Sequence, residues 1–234
     1  MSLSAVRIVS AMLVVAWIVA GCGGLANRNK RISREEPVLA DEFAPGQGDA
    51  ILFDVKIWRK GDKNSLRLEV YHAGDSLALF ARGYLGKGVL KGVVGPDSLL
   101  VFFPTENEYY AGPVAGLLTD VCPDSLLSER LLLDLFSKTP AQLENLPGRL
   151  YVNIIKETSD ERVYRLQSQV CSQSVELKYR FRSDHFVPDR IVFEKGEAFK
   201  FEAESRKVRP GIDLPPEKFL LEIPSSAIRI DPDS

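Results

Sequence analysis

Residues Ser174–Arg182 read SVELKYRFR, and almost every position assigns a face. Val175, Leu177, Tyr179 and Phe181 fall on one side of an extended chain, while Glu176, Lys178, Arg180 and Arg182 fall on the other. Successive side chains of a strand point to opposite sides, so strict period-two alternation marks a β-strand with one dry face and one wet face. The same pattern extends in both directions from this stretch. Upstream, ILFDVKIW puts Ile51, Phe53, Val55 and Ile57 on one face, and SLRLEVYH does so with Leu66, Leu68 and Val70. The RKGDKN between them has the Gly, Asp and Asn content of a hairpin loop.

SLALFARGY, GVLKGVVG, SLLVFFP and NEYYAG continue the series, so six strands are expected in succession as a meander. The period then changes. In PVAGLLTDVCPDSLLSERLLLDLFSKTPAQLENLP, Leu126, Leu127, Leu131, Leu132, Leu135 and Phe136 recur at helical spacing. Pro123-Asp124-Ser125 offers one helix start, and Thr139 before Pro140 offers another. Two or three short helices are expected over about 113–146. Strands resume with RLYVNIIKE, RVYRLQSQV, SVELKYRFR, FVPDRIVFEK and AFKFEAESRK. The tail LPPEKFLLEIPSSAIRI offers short extended pieces whose flanking prolines suit an edge or a crossing segment.

About eleven strands with one apolar face make an open antiparallel β-barrel, or half-barrel, too wide for its own side chains to fill. The helical insert is the available lid. Phe53, Val55, Leu68, Val70, Leu79, Phe102, Val152, Ile154, Leu177, Tyr179 and Phe193 are expected to line the concave side, with Leu131, Leu135 and Phe136 covering it. In most domains the same positions are plain core, and only an open barrel turns them into a cavity for a greasy ligand.

The chain's beginning carries a different signal. Ile8–Ala20, IVSAMLVVAWIVA, is uncharged, follows Arg7, and falls short of the roughly 20 residues that span a bilayer. It reads as an export signal over residues 1–21. VAGCG at 19–23 resembles the bacterial lipobox, which implies cleavage before Cys22 and acylation of its sulfur. Several acyl chains hold permanently where one holds marginally. Residues 22–49, rich in Gly, Pro and charge, read as a flexible tether, and 50–234 as one domain.

Lys and Arg total 30 against 32 Asp and Glu, and signs are interspersed, so no basic stripe recommends nucleic acid. Cys122 and Cys171 remain after Cys22. In an oxidising compartment they are either bridged or two buried thiols, and spacing leaves both open. The two histidines, His72 and His185, are far apart in sequence and have no metal-ligand spacing. No nucleophile elbow is present, and GYLGKG lacks P-loop spacing. Gly83, Gly86 and Gly88 fit hairpin geometry. The residues thus give no reason to expect an enzyme, a metal or a cofactor.

Two stretches carry a family likeness. ARGYLGKGVLKG resembles the turn of the LolB family in which a leucine and a glycine form the tip between two strands. NEYYAGPVAGLLTDVCPDSLLSERLLLDLFSKTP is similar to that family's strand followed by lid helices. Strand order and helix placement agree in layout from Ala50 to about Arg206. At the N-terminus the chain departs, because ISREEPVLADEFAPGQGD makes a poor helix where the family has one.

The resemblance implies a LolA/LolB-like half-barrel with a helical lid and an acyl-chain cavity. It also implies an exposed Leu85 that engages the membrane, a periplasmic LolA-like carrier with acylated lipoprotein cargo as partners, and a monomer on the periplasmic side of the outer membrane. A lipid- or glycolipid-binding envelope assembly lipoprotein of the same fold is the alternative.

Overall fold

The computed structural model describes residues 46–59, 61–113, 129–137, 150–168, 173–182, 185–197 and 199–230. The expected signal segment, the tether to residue 45, Cys22, Cys122, Cys171, Leu126 and Leu127 lie outside them.

Six strands come first: β1 (Gln47–Arg59), β2 (Asp62–Ala73), β3 (Ser76–Arg82), β4 (Gly88–Val94), β5 (Leu99–Phe103) and β6 (Glu108–Gly112). One helix, α1 (Glu129–Ser137), follows among the described residues. Then come β7 (Leu150–Glu157), β8 (Glu161–Ser168), β9 (Gln173–Arg182), β10 (His185–Lys195), β11 (Phe199–Asp213) and a short β12 (Ile228–Arg229). They form one sheet in the order β12-β6-β5-β4-β3-β2-β1-β11-β10-β9-β8-β7. Among the described residues the fold is therefore a large, unclosed antiparallel sheet of 12 strands, with only β12 pairing parallel to its neighbour β6. Each half is a meander, and the halves join where β11 returns to pair with β1.

Alternation sets the two faces. Phe53, Val55, Leu68, Val70, Leu79, Leu177, Tyr179 and Phe193 share one core with Leu132, Leu133, Leu135 and Phe136 of α1. These side chains supply most of the favourable folding term, since burying one large apolar residue contributes about 1.5–3 kcal/mol.

A second, smaller core lies on the other face. Ala50, Tyr71, Ala78 and Val93 are consecutive register partners across β1 to β4, and Leu214 and Phe219 of the C-terminal tail pack on them. The tail leaves β11, crosses this face and ends at the β6 edge as β12. Its course is both the crossing and the edge that the prolines indicated. The crossing requires Gly48: a Cβ there would meet the His72 carbonyl oxygen and the Leu214 side chain in less space than a methyl group needs.

Two expected lining residues are corrected. Phe102 pairs with Lys91 and Tyr109, on the face opposite Leu99, Val101 and Phe103, which belong to the main core. Every residue of β5, LLVFF, is buried, so no alternation fixed its phase. Ile154 does share a face with its partner Tyr164, but β7 is the outermost strand and leaves it 48 % exposed. Val152 stays half-buried against the core.

Candidate functional site

The concave face is covered by α1. ERLLLDLFS places Leu132, Leu133, Leu135 and Phe136 at positions where one helix can bury them all against the sheet. Phe136 stands edge-on to Phe53, with ring centroids 6.5 Å apart, a favoured aromatic geometry. The Tyr179 hydroxyl donates to the main-chain oxygen of Leu135 at 3.0 Å and so ties β9 to the helix. Burial pushes the Tyr179 phenol far above its ordinary value, with Tyr164 and Asp134 adding to the effect, so it remains a donor at any ordinary pH.

Between helix and sheet runs a wholly apolar seam walled by Phe53, Leu68, Val70, Leu79, Leu132 and Phe136, joined by Leu77, Ile191, Phe201 and Ala203. The expected cavity residues Phe53, Leu68, Val70, Leu79 and Phe136 thus converge there, while Val55, Leu135, Leu177, Tyr179 and Phe193 lie in the surrounding core. Leu131 falls within α1. The free volume is about 20 Å³, room for about one water molecule. Admitting an acyl chain therefore requires α1 to move away. Leu77, Ile191, Phe201 and Ala203 were missed, although each continues the period-two pattern of its strand.

The β3–β4 connection forms a second feature. Its residues Tyr84–Gly86 make a single tight turn in which Leu85 has φ 59° and ψ 20° and Gly86 has φ 74°. The turn is closed by main-chain bonds from Gly83 to Lys87 at 2.9 Å and from Gly86 to Gly83 at 3.2 Å. Left-handed backbone suits glycine and disfavours leucine, whose Cβ crowds the following carbonyl. Leu85 is nonetheless held there, 80 % exposed. The expected exposed leucine at the tip is present.

The two histidines, distant in sequence, meet at Asp49, a group the separate strand patterns did not reveal. Asp49 is the direct partner of His72 across β1 and β2. Its carboxylate accepts the Gly211 amide at 3.0 Å and the His185 Nε2 at 3.0 Å. His72 Nε2 donates to the Gly74 carbonyl at 2.9 Å, and its ring lies 6.5 Å from that of Phe136. Burial lowers the His72 pKa, against the opposing pull of that carbonyl, Asp49 and Asp75. Among the described residues no group of three or more His, Cys, Asp or Glu side chains is placed to hold a metal ion.

No family model matches the chain, and no curated protein matches it. Solved structures with a similar layout exist. An uncharacterised conserved protein from Thermus thermophilus aligns at 10 % identity and TM-score 0.45, covering 79 % of this chain and 90 % of that one. A LolA superfamily protein from Nitrosomonas europaea aligns at 13 % identity and TM-score 0.41, covering 78 % and 94 %. An outer membrane lipoprotein-sorting protein domain from Vibrio parahaemolyticus, itself named as putative, aligns at 10 % identity and TM-score 0.40, covering 74 % and 89 %. The open antiparallel sheet of this chain rests on its own strand order and register.

Proposed function

We propose that the protein is a lipid-anchored acceptor of acylated lipoproteins, held by Cys22 at the outer membrane and facing the periplasm. A soluble LolA-like carrier delivers cargo, the apolar seam beneath α1 opens to take the acyl chains, and Leu85 leads them into the bilayer. The observation that carries the reading is Leu85 itself: a large apolar side chain, 80 % exposed, on a backbone conformation that costs energy. Burial of acyl methylenes supplies the driving force at about 0.8 kcal/mol each, so no nucleotide or catalytic group is needed. Transfer requires the seam to hold the chains better than the carrier does and less well than the bilayer.

Native mass spectrometry of the detergent-solubilised chain, mixed with carrier loaded with acylated cargo, tests the acceptor role. Cargo should move onto the protein. Leu85→Glu should leave this capture intact and slow insertion into vesicles at least tenfold. Retention of cargo on the carrier would instead favour an envelope assembly lipoprotein of the same fold that binds lipid or glycolipid without transferring lipoproteins.

A further inference from the structure

The opposite face of the second half-sheet changes character at one end. Over most of its width the outward side chains pair as ions. Arg165 meets Glu176 at 2.7 Å, and Arg190 bridges Glu176 at 3.2 Å and Glu202 at 3.1 Å. The neighbouring row, nearer the ends of β8 and β10, keeps one such pair, Glu194 with Lys200, and is otherwise uncharged. There Tyr151, Gln167, Ser174 and Glu194 are successive register partners across β7 to β10. With Asn153 they line a cleft of about 590 Å³ at the end of the sheet, which also reaches the buried Ser168 and Gln173. That volume lies within the range of pockets that hold small ligands.

The lining chemistry selects the ligand class. Amide side chains carry both donors and acceptors, and hydroxyls do likewise, so the row matches a molecule whose groups both donate and accept. Among the described lining residues the one carboxylate, Glu194, is ion-paired to Lys200 at 2.9 Å, which leaves little net charge there for an ionic ligand. Tyr151 is 51 % exposed at the cleft and offers a ring whose apolar body is wet. A sugar ring needs that combination: an aromatic surface for its C–H face and mixed donors and acceptors for its hydroxyls.

The structure assigns this cleft as a binding site for an uncharged oligosaccharide, with Tyr151 as the stacking platform and Asn153, Gln167 and Ser174 as hydroxyl partners. The site is separate from the seam under α1: the two share no lining residue, and Tyr151, Gln167, Ser174 and Glu194 lie on the opposite face of the sheet from the core partners Leu166, Val175 and Phe193. The assignment does not rest on the acyl-chain reading.

Calorimetric titration of the detergent-solubilised full chain with N-acetylglucosamine trimer and with maltotriose tests it. At least one trimer should bind with a millimolar or lower Kd that 0.5 M NaCl leaves unchanged. Tyr151→Ala should weaken binding at least tenfold, about 1.4 kcal/mol, and Tyr151→Phe should preserve it. Gln167→Ala should weaken it as well, while thermal unfolding of all three variants stays close to that of the parent. A parallel titration with neutral galactolipid vesicles separates the two sources of such a sugar. Trimer binding alone assigns a free glycan, and vesicle binding lost in Tyr151→Ala assigns a glycolipid headgroup. No binding of either probe at 10 mM sugar, binding abolished by salt, or binding indifferent to Tyr151→Ala would overturn the assignment.

Discussion

The Tyr179 hydroxyl and the Leu135 carbonyl, 3.0 Å apart and both buried, join β9 to the helix lying over the concave face. This is a polar contact in the core beside a seam whose walls are apolar. It fixes the last turn of α1 in a way that dispersion alone does not, because a hydrogen bond has a preferred distance and direction while hydrophobic contact is non-directional.

Tyr179→Phe removes the donor and keeps the ring. The Leu135 carbonyl then loses a buried partner, and stability should fall by about 1–2 kcal/mol. Urea unfolding measures the loss. Amide hydrogen exchange in α1 should quicken while β9 stays protected, and unchanged exchange in the helix would show that Tyr179 does not hold it.

Phe136→Ala tests the lid from the apolar side. Phe136 is 9 % exposed and touches both Phe53 and His72, so truncation removes transfer free energy and leaves a cavity that the sheet cannot collapse to fill. About 3–5 kcal/mol of stability should be lost, readable as a lower urea midpoint. The enlarged seam should also bind a small apolar probe such as benzene, detectable as stabilisation that grows with probe concentration.

At Leu85 stability and function should move in opposite directions. The side chain is 80 % exposed and has almost no burial to lose, while its φ of 59° penalises a leucine. Asn tolerates that backbone region without the entropy cost of Gly, so Leu85→Asn should gain about 0.5–1 kcal/mol in urea unfolding. Insertion of lipoprotein into vesicles should slow in the same variant. A loss of stability would mean that the Leu85 side chain packs against the protein in solution.

Much of the fold was legible because period-two alternation survives wherever one face is wet. Each of the eleven strands other than β12 overlaps one of the stretches expected to be extended, and the tail prolines marked both the crossing over Tyr71 and the β12 edge. Legibility failed where both faces are dry, as in β5, and Phe102 went to the wrong side. It failed again where topology decides exposure. Nothing in LYVNIIKE says that β7 ends the sheet, so Ile154 read as lining although it is half-exposed. The meeting of His72 and His185 at Asp49 depends on β10 and β11 folding back onto β1, a long-range closure that no local pattern encodes.

That closure gives His72 a measurable pH signature. Burial disfavours its charged form, and the nearby His185 adds to this, while the Gly74 carbonyl, Asp49 and Asp75 only partly offset it. The folded pKa therefore lies below the unfolded value of about 6.5. As pH falls through 6.5 the unfolded chain takes up a proton that the folded chain still refuses, so stability rises with pH across this window and is lost on acidification. Urea unfolding at pH 7.5 and 5.5 should show a drop that shrinks in His72→Gln. In an NMR titration the His72 ring should change protonation below pH 6.5. A midpoint at or above that value would show that burial does not outweigh the Gly74 carbonyl, Asp49 and Asp75 at this ring.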